Sequence, residues 1–322
     1  MTVPYLARLL CLSLACYFLV HTALAAMVWA TAGRAIRVAE RLRPRDGARL
    51  LLALRLLPAT LACVAVAGLC VPSFLWLEPS ETAEEAGGAC LVAALLGAAV
   101  WIAALGRASK AVAQSWRYTQ ICGQVARLDT VADGSLAWVV EAEVPVLALT
   151  GVFRPRVVIS RGLMEALDAE QLSAALRHED AHRRSRDNLK RLALLLAPEI
   201  LPGCRAFATL ERAWARVTEW AADEGAAGDA RQRLALAEAL VNVVRLGCAG
   251  MPAGPLATTL LENPLDLEAR VGRLLETPSS GDPGGRYWAA AAGCLAGGAL
   301  AALLLQPGTL YSVHWLLEGL MR

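Results

Sequence analysis

Histidine is scarce in this chain, with four among 322 residues. A metal site therefore has few imidazoles to draw on. No cysteine pair has the CxxC spacing, and the nine cysteines are scattered, mostly within apolar runs. That argues against a disulfide framework and a thiolate metal site, and the cysteines read as small apolar fillers. Charge of one sign is also lacking: 31 Lys and Arg stand against 29 Asp and Glu, for a net charge of +2. Bulk charge selects no partner. There are no internal repeats, no glycine loop to cradle phosphates and no basic-aromatic patch, so direct nucleic-acid binding is not expected.

Apolar residues are what the chain has in excess, at 57% with a mean hydropathy of +0.46. They gather in four long runs, from about Pro4 to Thr31, Leu56 to Leu77, Gly87 to Gly106 and Tyr287 to Leu305. Runs of this length with few charges predict transmembrane helices. The first is too long for a cleaved leader, and no short basic region precedes a small-residue cleavage site, so it reads as a retained span.

Seven arginines (Arg34, Arg37, Arg41, Arg43, Arg45, Arg49 and Arg55) separate the first two runs, whereas "EPSETAEEAGG" between the second and third carries only acids. By the positive-inside rule the arginine segment is cytosolic and both chain termini lie outside. The expected layout is residues 1–106 as three spans with a basic cytosolic loop, 107–286 as a cytosolic region, and 287–322 as a fourth span with a short outer tail. The setting is the cell (inner, cytoplasmic) membrane, with the lipid bilayer as a partner. His21 falls in the first run, either as a functional intramembrane group or as a packing residue.

In the cytosolic region, "LAWVVEAEVPVLALTG" (Leu136 to Gly151) and "RVVIS" (Arg156 to Ser160) are rich in β-branched residues and bounded by Gly and Pro. They predict strands of a small sheet. The second reads either as the edge of a cleft, where an extended peptide adds as a strand, or as an ordinary paired strand. A helix should follow, with Asp168 as N-cap and Gln171 completing a capping box. Further on, "LALLLAPEILPGC" (Leu192 to Cys204) is apolar but too short to span, and reads as a membrane-surface segment, an active-site cover or core. "LDLEARVGRLLE" predicts an amphipathic helix.

The predicted helix holds "HEDAH": His178, Glu179 and His182. Residues four apart lie about 40° apart around a helix axis and one turn along it, so the two imidazoles can ligate one ion. Glu179 stands beside them, placed to take a proton from water. Catalytic zinc takes three protein ligands plus water and lowers the water's pKa from 15.7 to about 7. His21 and His314 fall in or beyond the membrane, so the third ligand should be a carboxylate. "LERAWARVTEWAADEGAA" supplies Glu219 as ligand and, four residues later on the same face, Asp223 to orient an imidazole. The bland alternatives are a solvated charged helix and a solvated acidic face. Tyr118, Arg212 and Arg216 are candidates to stabilise an oxyanion, and the spacing selects none of them.

The stretch "GVFRPRVVISRGLMEALDAEQLSAALRHEDAHRRSRD" with the later "TEWAAD" resembles the BlaR/MecR-type antirepressor family of integral-membrane zinc metallopeptidases (HExxH, gluzincin-like), as does the four-span layout. The resemblance implies zinc ligands at His178, His182 and Glu219 and a catalytic glutamate at Glu179. It further implies an endopeptidase that cuts a cytosolic transcriptional repressor, and often itself, on an outside signal. Two departures stand out: the best-known members carry a penicillin-binding sensor domain after the last span where a short tail follows here, and Ala222 stands where the family often has cysteine.

The expected fold is thus an α-helical membrane protein with an α+β zincin-like cytosolic metallopeptidase domain and about four transmembrane helices. Three functions stay open: signal-regulated cleavage of a repressor or of the chain itself, membrane-protein quality control of the HtpX type, and a non-catalytic membrane scaffold. The intact Glu179 argues against the scaffold.

Overall fold

The computed structural model describes residues 5–77, 87–131, 134, 136–199, 205–246, 256–260 and 266–276, with isolated positions 308, 311, 312 and 315. Long helices come first. α1 spans Tyr5–Arg41. α2 (Pro44–Ala65) runs through a π-helical turn (Val66–Cys70) into α3 (Val71–Leu77), and α4 spans Gly88–Val125. The helices Tyr5–Arg41, Pro44–Leu77 and Gly88–Val125, of 37, 34 and 38 residues, are each long and apolar enough to cross a membrane. A span needs about 20 residues, so each outlasts a bilayer by roughly four to five turns. The expected fourth span, Tyr287 to Leu305, lies outside the described residues.

The excess length corrects one expectation. The basic segment between the first two spans is not a loop: α1 and α2 carry almost all of it, leaving only Leu42 and Arg43 between them. Pro44 opens α2, where a missing N–H costs nothing. Gly47 lets the two backbones close, since a Cβ there would lie 2.4 Å from the Ala39 carbonyl oxygen. Arg55 is not a free loop charge either. It is buried, with Nε donating to Glu211 at 2.7 Å and Nη2 to Glu199 at 2.9 Å, over the Phe207 ring.

Small residues set the helix crossings. Ala15 of α1 and Ala93 and Ala94 of α4 are buried together with Leu12 and Phe74. Gly97 of α4 faces α1 so closely that a Cβ would sit 2.5 Å from the Leu14 oxygen. Packing of this kind replaces the hydrophobic drive that is weak between helices in lipid.

A five-stranded mixed sheet follows, made of β1 (Arg127–Thr130), β2 (Leu136–Val140), β3 (Leu147–Thr150), β4 (Arg156–Ser160) and β5 (Thr258–Thr259), in the order β1-β2-β4-β3-β5. Only β2 and β4 pair parallel. The stretch from Leu136 to Gly151, expected to form sheet, holds two strands, β2 and β3, parted by residues 141–146. β4 is interior, bonded to β2 on one side and β3 on the other, which overturns its reading as a cleft edge. β1 escapes sequence reading because its four residues, RLDT, are all exposed and do not alternate.

α5 (Arg161–Ala166) leads to α6 (Ala169–Ser185), which carries the expected capping box: Asp168 accepts from the Glu170 and Gln171 amides, and the Gln171 side chain accepts from the Asp168 amide. α7 (Asp187–Leu196), α8 (Arg205–Ala226), α9 (Ala230–Arg245) and the expected amphipathic α10 (Leu267–Leu275) complete the described elements. One core joins the sheet to α6 and α9 through Val139, Leu147, Ile159, Leu176, Leu236 and Leu240. A second joins α1 and α2 to α8 through Val28, Leu51, Leu210, Trp214 and Val217. The described part of the apolar segment that begins at Leu192 is core, with Leu192 against Ala108 and Ala111 of α4 and Leu194 against α1, α2 and α8. The fold is mostly helical, with a small mixed sheet after three membrane-length helices, as in an α+β peptidase domain.

Gly97→Leu should force α1 and α4 apart and cost about 1–3 kcal/mol. Gly106→Leu, where nothing lies within 4 Å of the added Cβ, should cost nothing measurable. Thermal unfolding of both variants in detergent checks this, and equal melting temperatures would refute the crossing.

Candidate metal centre

α6 and α8 cross with their charged faces together. On α8, Leu210, Ala213, Trp214 and Val217 turn toward α1 and α2. Glu219 lies two residues beyond Val217, about 200° around the axis, and so faces the other way. Asp223 follows one turn on. On α6, His178, Glu179 and His182 are each 0% exposed, and Glu219 and Asp223 are 6% and 4% exposed. The expectation of a solvated charged helix fails on this burial.

The donor atoms converge. The Nε2 atoms of His178 and His182 stand 3.1 Å apart. Glu219 Oε2 is 3.5 Å from His178 Nε2, and its Oε1 is 3.5 Å from His182 Nε2. Among the described residues these three form one group that can hold a metal ion. Two donors about 2.0–2.1 Å from a tetrahedral zinc lie about 3.3 Å from each other, and the observed spacings bracket that value. Both Glu219 oxygens are buried without a well-formed hydrogen bond; Arg270 stands 3.1 Å from one of them, and a metal ion would satisfy the carboxylate further.

The outer nitrogens explain why both Nε2 atoms face inward. His182 Nδ1 is 2.7 Å from Asp187 Oδ2. His178 Nδ1 is 2.9 Å from Asp223 Oδ1, at an angle poor for a hydrogen bond. A carboxylate at Nδ1 holds the proton there and leaves the Nε2 lone pair free for a metal. Asp223 thus stands where it was expected, beside an imidazole.

Asp187 was not expected, and its placement depends on a break in the chain. In one continuous helix a residue five positions after His182 would point about 140° away. Arg186 instead adopts the left-handed conformation (φ 56°, ψ 43°), ending α6 and starting α7. The turn swings Asp187 back onto His182, and Asn188 pins it by donating to the Leu149 and Gly151 carbonyls. The Asp-Asn pair before an apolar run was the available signal for this second helix start.

Arg270 of α10 was also missed. It is 2% exposed. Nε and Nη2 clamp Asp223 at 2.8 and 2.6 Å, while Nη1 donates to the Leu260 carbonyl and lies 3.1 Å from Glu219. Its signal was a charge on the apolar stripe of an amphipathic helix, one position before Val271. Arg212 and Arg216, the oxyanion candidates on α8, are engaged elsewhere, by Ala208 and Thr209 and by Glu40. His21 stacks on Tyr17, which in turn packs on Trp101.

Burial disfavours every charge in this group, yet partners win. For His182, burial pushes the pKa down, but the Glu219 charge and the hydrogen bond to Asp187 raise it to about 10. His178 is raised against its burial by Asp223 and Glu219. Glu219, opposed by burial, is held well below the usual carboxylate range by His182 and Arg270. The negative field that raises both imidazole pKa values is the field a dication would occupy.

Residues 139–205, which include β3, β4 and the whole of α6 and α7, match the sequence model of peptidase family M48, a family of zinc-dependent metallopeptidases. The matched segment ends before Glu219. A search of curated proteins finds no match. The site and the matched segment together support a metallopeptidase.

Zinc must displace the His182 proton. Because that pKa is raised to about 10, affinity for zinc should climb with pH across the range 6 to 9, about tenfold per unit for each proton released. Calorimetry in buffers of different ionisation enthalpy should show at least about one proton leaving per zinc bound. A pH-independent affinity would contradict the arrangement.

Proposed function

We propose that the chain is a membrane-embedded zinc endopeptidase. The observation that carries this reading is the buried His178, His182 and Glu219 group with Glu179 adjoining it on α6. When bound there, zinc supplies Lewis-acid chemistry, polarising a carbonyl and lowering the pKa of water. His178, His182 and Glu219 hold the ion. Asp187 and Asp223 fix the imidazole tautomers, and Arg270 fixes Asp223. Glu179 acts as general base, taking the proton of the attacking water and passing it to the leaving amine.

In the finer reading, the substrate is a cytosolic transcriptional repressor or the chain itself, cut when a signal arrives across the membrane. Support comes from the resemblance described above and from the way α8 is shared between the metal group and the membrane helices. The catalytic region then faces the cytosol, as the arginine-rich ends of α1 and α2 suggest. The match is to peptidase family M48 and carries nothing specific to antirepressors, so a second reading stands beside the first, quality control of damaged membrane proteins.

Glu179→Gln separates chemistry from folding. The purified variant should keep its zinc and lose about 10²–10⁴-fold in the rate of self-cleavage or of repressor cleavage. Cutting at the wild-type rate would remove Glu179 as base. A repressor cut at one bond, against broad digestion of misfolded membrane proteins, distinguishes the two readings.

A further inference from the structure

Beside the metal group, and sharing Asp187 with it, α2, α6, α7 and α8 line a cavity of about 560 Å³. Its rim carries four cations, Arg45, Arg49, Arg184 and Lys190, of which Arg49, Arg184 and Lys190 also pair with Asp46, Asp180 and Asp187. Asp187 is already engaged by His182 and Lys190. Deeper in, the wall is formed by Ala48, Leu52, Trp214 and Thr218. Trp214 and Thr218 are each 3% exposed, and Trp214 Nε1 and Thr218 Oγ1 have no hydrogen-bond partner. Buried polar groups left so are rare and call for a ligand or water. The combination is an anion-binding rim over an amphipathic floor with two unsatisfied polar groups.

The position selects the anion. Arg45 and Arg49 lie in the first two turns of α2, the helix that continues into the second apolar run. Arg49 precedes Leu56, where that run begins, by about 10 Å along the axis. The polar headgroup layer adds roughly 5–8 Å outside the hydrocarbon, so the Arg49 side chain reaches it, while Arg45, roughly 16 Å out along the same helix, stands just outside it. Clustered arginines at such a boundary attract anionic lipid, and the apolar wall suits the glycerol and upper acyl carbons of a lipid better than a free ion.

We propose that this cavity binds the phosphate group of an anionic phospholipid. The rim arginines and Lys190 hold the phosphate oxygens, and Leu52 and Trp214 cover the apolar part. A lipid seated there would bridge α2 to the end of α6 and to α8, the two helices that carry the metal group. Binding needs no catalytic step, so it stands or falls apart from the peptidase reading.

The test uses delipidated full-length protein in detergent, with native mass spectrometry to count bound short-chain phosphatidylglycerol. Phosphatidylcholine serves as the neutral comparison, and inorganic phosphate and a glutamate-rich decapeptide as competitors. Arg45→Gln with Arg49→Gln removes half the rim cations, and Arg34→Gln with Arg37→Gln removes the same charge outside the cavity. The expected result is saturable binding of phosphatidylglycerol over phosphatidylcholine, weakened at least about tenfold by the rim variant and not by the control, with melting temperature and zinc content unchanged in both. Equal binding by the rim variant would overturn the proposal. So would displacement by inorganic phosphate at similar concentration, which would make the site one for a free anion. Binding of the acidic peptide in place of lipid would overturn it in favour of a substrate-docking site.

Discussion

Everything in this protein's interior depends on burying a cluster of carboxylates. Glu179, Glu219, Asp223 and Asp187 are almost wholly out of water. Glu219, Asp223 and Asp187 share two fixed cations, Arg270 and the partly exposed Lys190. With neutral imidazoles, carboxylate charge there exceeds fixed positive charge. Isolated buried charges cost several kcal/mol each, so the fold must import positive charge. A divalent cation between His178, His182 and Glu219 supplies it directly, whereas two protons on the imidazoles supply it indirectly. The raised pKa of His182 and the poorly satisfied oxygens of Glu219 are two signs of this one deficit.

The same constraint explains why the site is built across several elements. One helix can present two imidazoles, but it cannot also supply the third donor and both outer carboxylates in the right directions. α8 provides Glu219 and Asp223, the left-handed break at Arg186 returns Asp187, and α10 reaches in with Arg270. α8 also packs its opposite face on α1 and α2, and Arg55 of α2 is paired to Glu211 of α8. The helix carrying the third ligand is therefore bonded to the membrane bundle, and a shift of α2 would be felt at Glu219 without any intervening linker.

How much of this was legible beforehand follows from distance along the chain. HExxH, its capping box and the ExxxD on α8 are local patterns, each set by helical periodicity, and all were readable. The first three apolar runs were readable as membrane-length helices, although composition could not show that α1 and α2 continue as helices through the arginine segment, because arginine is a good helix former as well as a loop marker. Asp187 and Arg270 were not readable as site residues, because their roles come from a backbone reversal and from a tertiary approach that no spacing encodes. The interior position of β4 likewise depends on β2 and β3 assembling on either side of it.

X-ray absorption at the zinc edge of the purified full-length protein is the most direct measurement of the central claim. The account predicts about one zinc per chain, with two imidazole nitrogens and only oxygen donors besides, at about 2.0–2.2 Å. In Glu219→Gln, zinc content or the oxygen shell should fall while the fold persists. Sulfur in the coordination shell, or a protein that folds and stays free of zinc when zinc is supplied, would contradict it.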